Sequence, residues 1–524
     1  MKAFFLFAVL LGMAMGRVCA GGALTTFEAK PEGAAAFPTR IDQFVFARLR
    51  QLGISPANPC SDAVFVRRVY LDVLGTPPTA DEAQKFLDNP KPGKRAVLID
   101  QLLARDEFAD YWGMKWCDLL RVKSEFPVNL WPNAAQAYDR WIRTSLKQNM
   151  PYSRFAWELL TANGSNFRAP QVNFYRSAGS RDAKTLARAV ALTFMGERAE
   201  TWPEAKWAGM AAFFSQIGFK STGEWKEEIV YFTGMDDSHG AKGVATFPDG
   251  SVPNSSANKD PREVFATWLL SSKNSPFARN AANRVWFWLF GRGIVQEPDD
   301  NRPDNPPSNP ALLEYLAQEL VASRYELKHL YRLILNSRTY QLSCIPTTAK
   351  AEAEANFASY PLRRLDAEVL IDALNQITGA TEEYSSTIPE PFTWVPEDKR
   401  SICLPDGSIS SAFLDLFGRS SRDTGLLSER VNRPTAAQRL HLLNSSHILT
   451  KITKSAKLRA LFRPGLPPRE GITQIYLTIL SRYPTDEELQ ALKAYSETGE
   501  AQGLQALYDL AWALINDTEF LYRH

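Results

Sequence analysis

A chain of 524 residues is longer than one hydrophobic core ordinarily serves, so two or three domains are expected. Its 45% hydrophobic and 23% charged content belongs to a globular protein and excludes a disordered one. A net charge of +2 leaves no basic surplus to neutralise phosphates, which excludes a dedicated nucleic-acid binder.

The first twenty residues read as a secretory leader. Lys2 gives a short positive start, Phe4 to Met15 an apolar run, and Val18-Cys19-Ala20 a small-residue cleavage region. At about 1.5 Å per residue that run is too short to cross a bilayer. Arg17 stands where a lipoprotein signal wants a small residue, so Cys19 is a poor lipidation candidate. The expected product is exported to the periplasm, the cell envelope or the medium, with no transmembrane segment in the mature chain. Cys60, Cys117, Cys344 and Cys403 then remain, as two disulfides or as buried free thiols.

Residues 21–38 read as a flexible lead-in. From there Ile41, Phe44, Val45 and Leu49 recur at helical spacing, and a second helix runs to Gly75. Thr79 and Glu82 have the spacing of a capping box at the start of a third. The stretch Tyr70 to Leu87 aligns without gaps to Tyr476 to Lys493, with seven identities in eighteen. Each copy is followed by an expected amphipathic helix, Leu98 to Trp112 and Leu510 to His524, and Leu330 to Ser343 is a third relative of the latter. Duplication or convergence would give the same architecture, helical hairpins at both ends. Between them, Glu227 to Phe232 and Gly243 to Pro253 have β-like runs, the second with a Pro-Asp-Gly turn, before a polar linker. The predicted fold is mainly α: a helical domain at 40–225, a small β insertion and linker at 226–260, and a second helical domain at 261–524. Tyr384 to about Ser410 is irregular.

Several phrases together carry a resemblance: IDQFVFARL, RRVYLDVLGTPPT, MPYSRF, NPPSNP, LKHLYRLILNSRTYQLS, YPLRRLDAEVLIDAL, FLDLFGR and RLHLLN. The chain resembles two adjoining domains of unknown function in exported planctomycete and verrucomicrobial proteins, often fused to or associated with cytochrome-c domains. The first would cover Ile41 to Lys220 and the second Asp260 to His524. The resemblance implies no established activity. Many relatives carry Cys-x-x-Cys-His, the spacing that attaches a c-type haem. The equivalent stretch here, Phe194 to Phe214, has neither Cys nor His, so no haem and no other cofactor is expected.

The densest polar stretch is Gly291 to Pro310. It holds Asp299, Asp300, Asp304, Glu297, Arg292, Arg302 and Asn305, directly after the aromatic NRVWFWLF. Its carboxylates could bind a hard cation, act as a pair in glycoside hydrolysis, or tie up the loop with Arg292 and Arg302. Asn309-Pro310 reads as an N-cap and first helical residue, and Gly291-Arg292-Gly293 as a helix stop. Trp286 and Trp288 flank Phe287, so Trp288 either stacks on a sugar beside the acids or packs between the domains. Arg419, Arg422 and Arg430 could capture an acidic partner or glycan, or pair with the aspartates near 300. Asp299, Asp300, Arg302, Asp304, Asn305, Trp288, Arg419, Arg422 and Arg430 are therefore the binding candidates.

Other chemistry is poorly represented. The five histidines, His239, His329, His441, His447 and His524, form no zinc motif. His441 and His447 are six apart, which separates them on a continuous helix unless Asn444-Ser445-Ser446 breaks it, so a shared role is not expected. No nucleotide loop or nucleophile elbow occurs. Trp112 and Trp116, four apart, are expected to pack together. The expected function is non-catalytic binding or scaffolding in an envelope assembly, with an envelope protein or a glycan as partner and polysaccharide handling as one setting. The alternatives are a glycan hydrolase using the carboxylates of the 297–304 loop, and a haem-less relative of an electron-transfer component.

Overall fold

Helices begin where short polar side chains can close their first turns. The computed structural model describes residues 38–234, 244–254, 259–271, 275–462, 467–499 and 501–524; the leader, the lead-in up to residue 37 and His239 lie outside the described residues. Ser61 caps helix Asp62–Leu74, and Thr79 with Glu82 forms a capping box on Ala80–Leu87. The same box recurs with Thr485 and Glu488 on Asp486–Glu497, and Asn309 caps Pro310–Ala322. The two aligned copies also leave their first helices alike, through the left-handed region at Gly75 (φ 62°) and Ser481 (φ 61°). At Gly75 a Cβ would lie 2.4 Å from the Tyr111 ring, so this turn needs glycine twice over. The hairpins meet where the Tyr483 hydroxyl donates to Asp88 at 2.9 Å.

Among the described residues the fold is mainly α-helical, with strands confined to two small sheets. In the first, Glu228–Phe232 lies between Gly164–Ser165 and Ile217–Ser221, antiparallel to both, with Phe219 opposite Val230. The second pairs Arg363–Arg364 with Tyr522–Arg523. Residues 244–254 are not a strand, contrary to their alternating pattern. The Phe247 amide donates to the Ser251 carbonyl and closes the Pro-Asp-Gly turn on itself. Phe247 packs on Phe213 and Trp268, so the apolar position is an anchor rather than part of a ladder.

The expected helix Leu98 to Trp112 is two helices, Lys94–Ala104 and Glu107–Leu119. Arg105 breaks it with an extended backbone, and its guanidinium binds Glu82 at 2.7 Å and Glu107 at 2.5 Å. The segment Leu510 to His524 divides similarly into the end of Leu504–Ile515, a turn of helix at Thr518–Leu521 capped by Asp517, and the edge strand. Cys60, Cys117 and Cys403 are free thiols, so two disulfides are not formed.

One hydrophobic core runs through both predicted domains. Buried polar side chains cross the same boundary. Arg67 donates to the carbonyls of Ile479 (2.8 Å) and Phe520 (2.9 Å). Arg68 donates to those of Tyr340, Leu342 and His524 at 2.7–2.8 Å, with its guanidinium 3.8 Å from the Tyr360 ring centre. Asp42, on the first helix, accepts from the amides of Arg338 (3.0 Å) and Thr339 (2.7 Å).

Candidate functional site

The loop 291–310 is built by the helix before it. Helix Ser275–Phe290 ends at Gly291, φ 71°, and places Asn280, Asn283 and Arg284 in the interior facing the loop. Asn283 exchanges two hydrogen bonds with the backbone of Val295, at 2.9 and 3.0 Å. Arg284 binds Asp299 at 3.1 Å and the carbonyls of Leu192 and Thr193. The other Asp299 oxygen accepts the Leu427 amide at 2.7 Å. Both Asp299 oxygens are thus engaged in the interior.

Residues 302–304 of the loop face solvent, with Asp300 and Asn305 half-buried beside them. Arg302 lies 2.8 Å from Asp300 and 3.5 Å from Asp304, and the Asn305 amide donates to the Asp300 carbonyl. Arg302 and Asn305 border a cleft of about 390 Å³ together with Glu197, Lys206 and Arg279. Burial pushes the Glu197 carboxyl up despite Lys206 at 3.6 Å.

Trp288 is not at this surface. Its ring centre lies 5.4 Å from those of Trp112 and of Trp116, so the pair on helix Glu107–Leu119 is bridged by a residue of the other half. Trp286 stacks on Phe290 and meets Phe357 edge-on. Neither indole is open to a sugar.

The arginine segment is close to the loop, through Leu427, but its guanidinium groups pair elsewhere. Arg422 meets Asp118 at 2.9 Å, and Arg430 spans Asp118 (2.6 Å) and Glu368 (2.5 Å). Arg419 lies 3.5 Å from Glu368 and donates to the carbonyls of Ile409 and Asp406. The pairing expected with the aspartates near 300 is therefore replaced by pairing with acids on helices Glu107–Leu119 and Ala367–Thr378. The side chains of all three arginines are shielded, so their charge serves the interior rather than a docking ligand.

A different surface gathers exposed aromatic rings around the half-buried Trp131. Trp131, at φ 72° just before helix Pro132–Lys147, lies 5.7 Å from Phe392 and 6.4 Å from Trp225 between ring centres. Trp225 is 70% exposed and Phe392 52%. Lys226 Nζ sits 5.3 Å from the Trp131 ring centre and 5.5 Å from that of Trp225. Trp394, two residues beyond Phe392, is also exposed and carries Lys399 at 5.0 Å. Side-chain bonds fix the loops beneath: Asp406 accepts the Ser124 amide at 2.9 Å, and Ser408 accepts that of Glu125. Glu125 in turn accepts from Thr387. Monomeric proteins rarely leave adjacent large rings in water without use, and an indole face beside a cation suits stacking with a charged ligand. The sequence signal was present: LWPN, GEWKEE and PFTWVPED place aromatics among Pro, Gly and charge with no helical period. What it lacked was the contact between three loops distant in sequence.

Residues 40–216 match the family model described as Protein of unknown function (DUF1549), PSCyt2, and residues 261–496 the model described as Protein of unknown function (DUF1553), PSD1. The chain belongs to the proteins that pair these two domains. No curated protein and no solved structure matches it.

Proposed function

We propose that the protein is an exported, non-catalytic binding component of an envelope assembly, and that it holds acidic polysaccharide on the surface formed by Trp131, Trp225 and Phe392. The observation that carries this reading is the exposed ring cluster with Lys226 set over two of its indoles. Sugar C–H faces stack on such rings, and the ammonium would meet a carboxylate or sulfate on the same chain. Binding is favoured over hydrolysis because Asp299, the innermost carboxylate of the 297–304 loop, has both oxygens committed to Arg284 and a backbone amide. An inverting or retaining pair needs two free carboxyl groups about 5–10 Å apart across a substrate.

The test is retention on uronic-acid and sulfated glycans by affinity electrophoresis. Trp225 projects into solvent, so Trp225→Ala leaves folding intact and should weaken retention about tenfold, the equivalent of about 1.4 kcal/mol. Asp300→Asn and Asp304→Asn should retain fully. Unchanged retention in Trp225→Ala, or no retention of any acidic glycan by the intact protein, would overturn the proposal.

A further inference from the structure

A second cleft, of about 890 Å³, is lined by the end of helix Ala367–Thr378, the residues after it, and helices Ala436–Asn444 and Ser446–Thr453. The last two are consecutive in sequence. Ser445 divides them: its extended backbone ends the first helix, and its hydroxyl accepts the Ile448 amide to start the second. That break turns His447 back onto His441, with Nδ1 of the former 3.3 Å from Nε2 of the latter. The separation expected for one helix does not hold. His447 Nε2 lies 3.0 Å from Glu382, whose same oxygen meets Lys451 at 3.1 Å.

Hydrogen-bond logic fixes the tautomers of this chain. An ionised carboxylate only accepts, so His447 donates from Nε2 and must accept at Nδ1. His441 therefore donates from Nε2, and its Nδ1 is left as a lone pair. Among the described residues that nitrogen has no hydrogen-bond partner, and His441 lines the cleft.

Three lysines and two glutamates line the cleft around it. Lys451 is neutralised by Glu382 and also donates to Asn375 and the Thr381 carbonyl. Lys457 binds the Gln376 carbonyl at 3.0 Å, and Lys454 has no partner among the described residues. Glu383 is the remaining acid of the lining. From the packed elements, helix Ala412–Leu416 offers the Phe413 ring to both imidazoles, and its Asp415 is bonded to Ser410. On helix Leu504–Ile515, Asp509 is taken by Tyr495 at 2.9 Å.

We propose that this cleft binds a small oxyanion, a phosphate, sulfate or carboxylate group, and that binding draws one proton onto the His441–His447 pair. Lys454 and Lys457 supply fixed positive charge. An anion oxygen opposite a bare His441 Nδ1 would meet a lone pair, whereas a protonated Nδ1–H makes a charge-assisted hydrogen bond. Protonation and anion binding are thus linked, each favouring the other. Burial and then His447 hold the His441 imidazole below its ordinary value, so His441 is mainly neutral at pH 7 and its proton arrives with the ligand.

Isothermal titration of the full chain with inorganic phosphate, sulfate and acetate, in buffers of different ionisation heat, tests this. We expect saturable binding at about pH 6 with uptake of about one proton. Affinity should fall by up to about tenfold per pH unit between the pKa of the empty pair and that of the liganded pair. His441→Gln should abolish the proton uptake and the pH dependence. Lys454→Ala, at an exposed position that cannot disturb folding, should weaken binding at every pH. Absence of saturable binding to all three anions, binding without proton uptake, or unaltered affinity in Lys454→Ala would overturn the proposal. Acetate binding alone would identify the ligand group as a carboxylate, and phosphate or sulfate binding as a tetrahedral oxyanion.

Discussion

Asp366 illustrates what a carboxylate needs in order to sit in the interior charged. It meets Lys115 and Asn432 at 2.9 Å and Arg523 at 3.3 Å, with Arg430 at 3.9 Å. Burial alone would push its carboxyl up, but Lys115, Arg523 and Arg430 outweigh burial and hold it well below the usual range. Its folded pKa therefore lies under its unfolded one. The stability it contributes is present above about pH 4 and is lost as the pH falls through the lower, folded value. Acidification below about pH 4 should thus lower the denaturation midpoint. Asp366→Asn should flatten that part of the profile and cost about 3–5 kcal/mol at neutral pH, because Lys115 and Arg523 lose their buried counter-charge. Urea midpoints of both proteins across that range check this, and two parallel profiles would contradict it.

At the scale of the element, the two related hairpins share a turn but not its residue. Gly75 and Ser481 both adopt φ near 60°, where an L side chain is strained. Ser481 is also fully buried, with no hydrogen-bond partner for its hydroxyl. Ser481→Gly should therefore stabilise by about 1 kcal/mol. The reciprocal Gly75→Ser should cost more than that, since its Cβ would strike the Tyr111 ring. Thermal melts of the two variants should shift in opposite directions. The caps of these hairpins were legible because capping is a relation between positions three apart. Asn309 and the stop at Gly291 were legible because each is carried by residues adjacent in sequence. Packing of Trp288 between the two halves was one of its two readings, but the rings it meets were not legible, because Trp112 and Trp116 arrive from another helix. Periodicity alone also misplaced His441 and His447, since the Ser445 cap outcompetes continuation of an otherwise helical run.

For the whole molecule, the two family regions do not behave as beads on a string. Interfaces between domains of one chain are ordinarily modest and polar. Here Arg67 and Arg68, each 1% exposed, donate to carbonyls of Tyr340, Leu342, Ile479, Phe520 and His524. Asp118 is satisfied by Arg422 and Arg430, and Trp112 and Trp116 by Trp288. A fragment ending near residue 234 would strip Arg67 of both these carbonyl acceptors and Asp118 of both its arginines, at roughly 1–3 kcal/mol or more for each charge. It would also expose the indole faces. The net stability of a domain is only about 5–15 kcal/mol, so such losses remove most of it. The full chain should accordingly unfold in one calorimetric transition whose van't Hoff and calorimetric enthalpies agree. Fragments 38–234 and 259–524, expressed apart, should each lack cooperative melting and regain it when refolded together. Two resolved transitions in the intact protein, or a cooperatively folding fragment, would show that the shared core is dispensable.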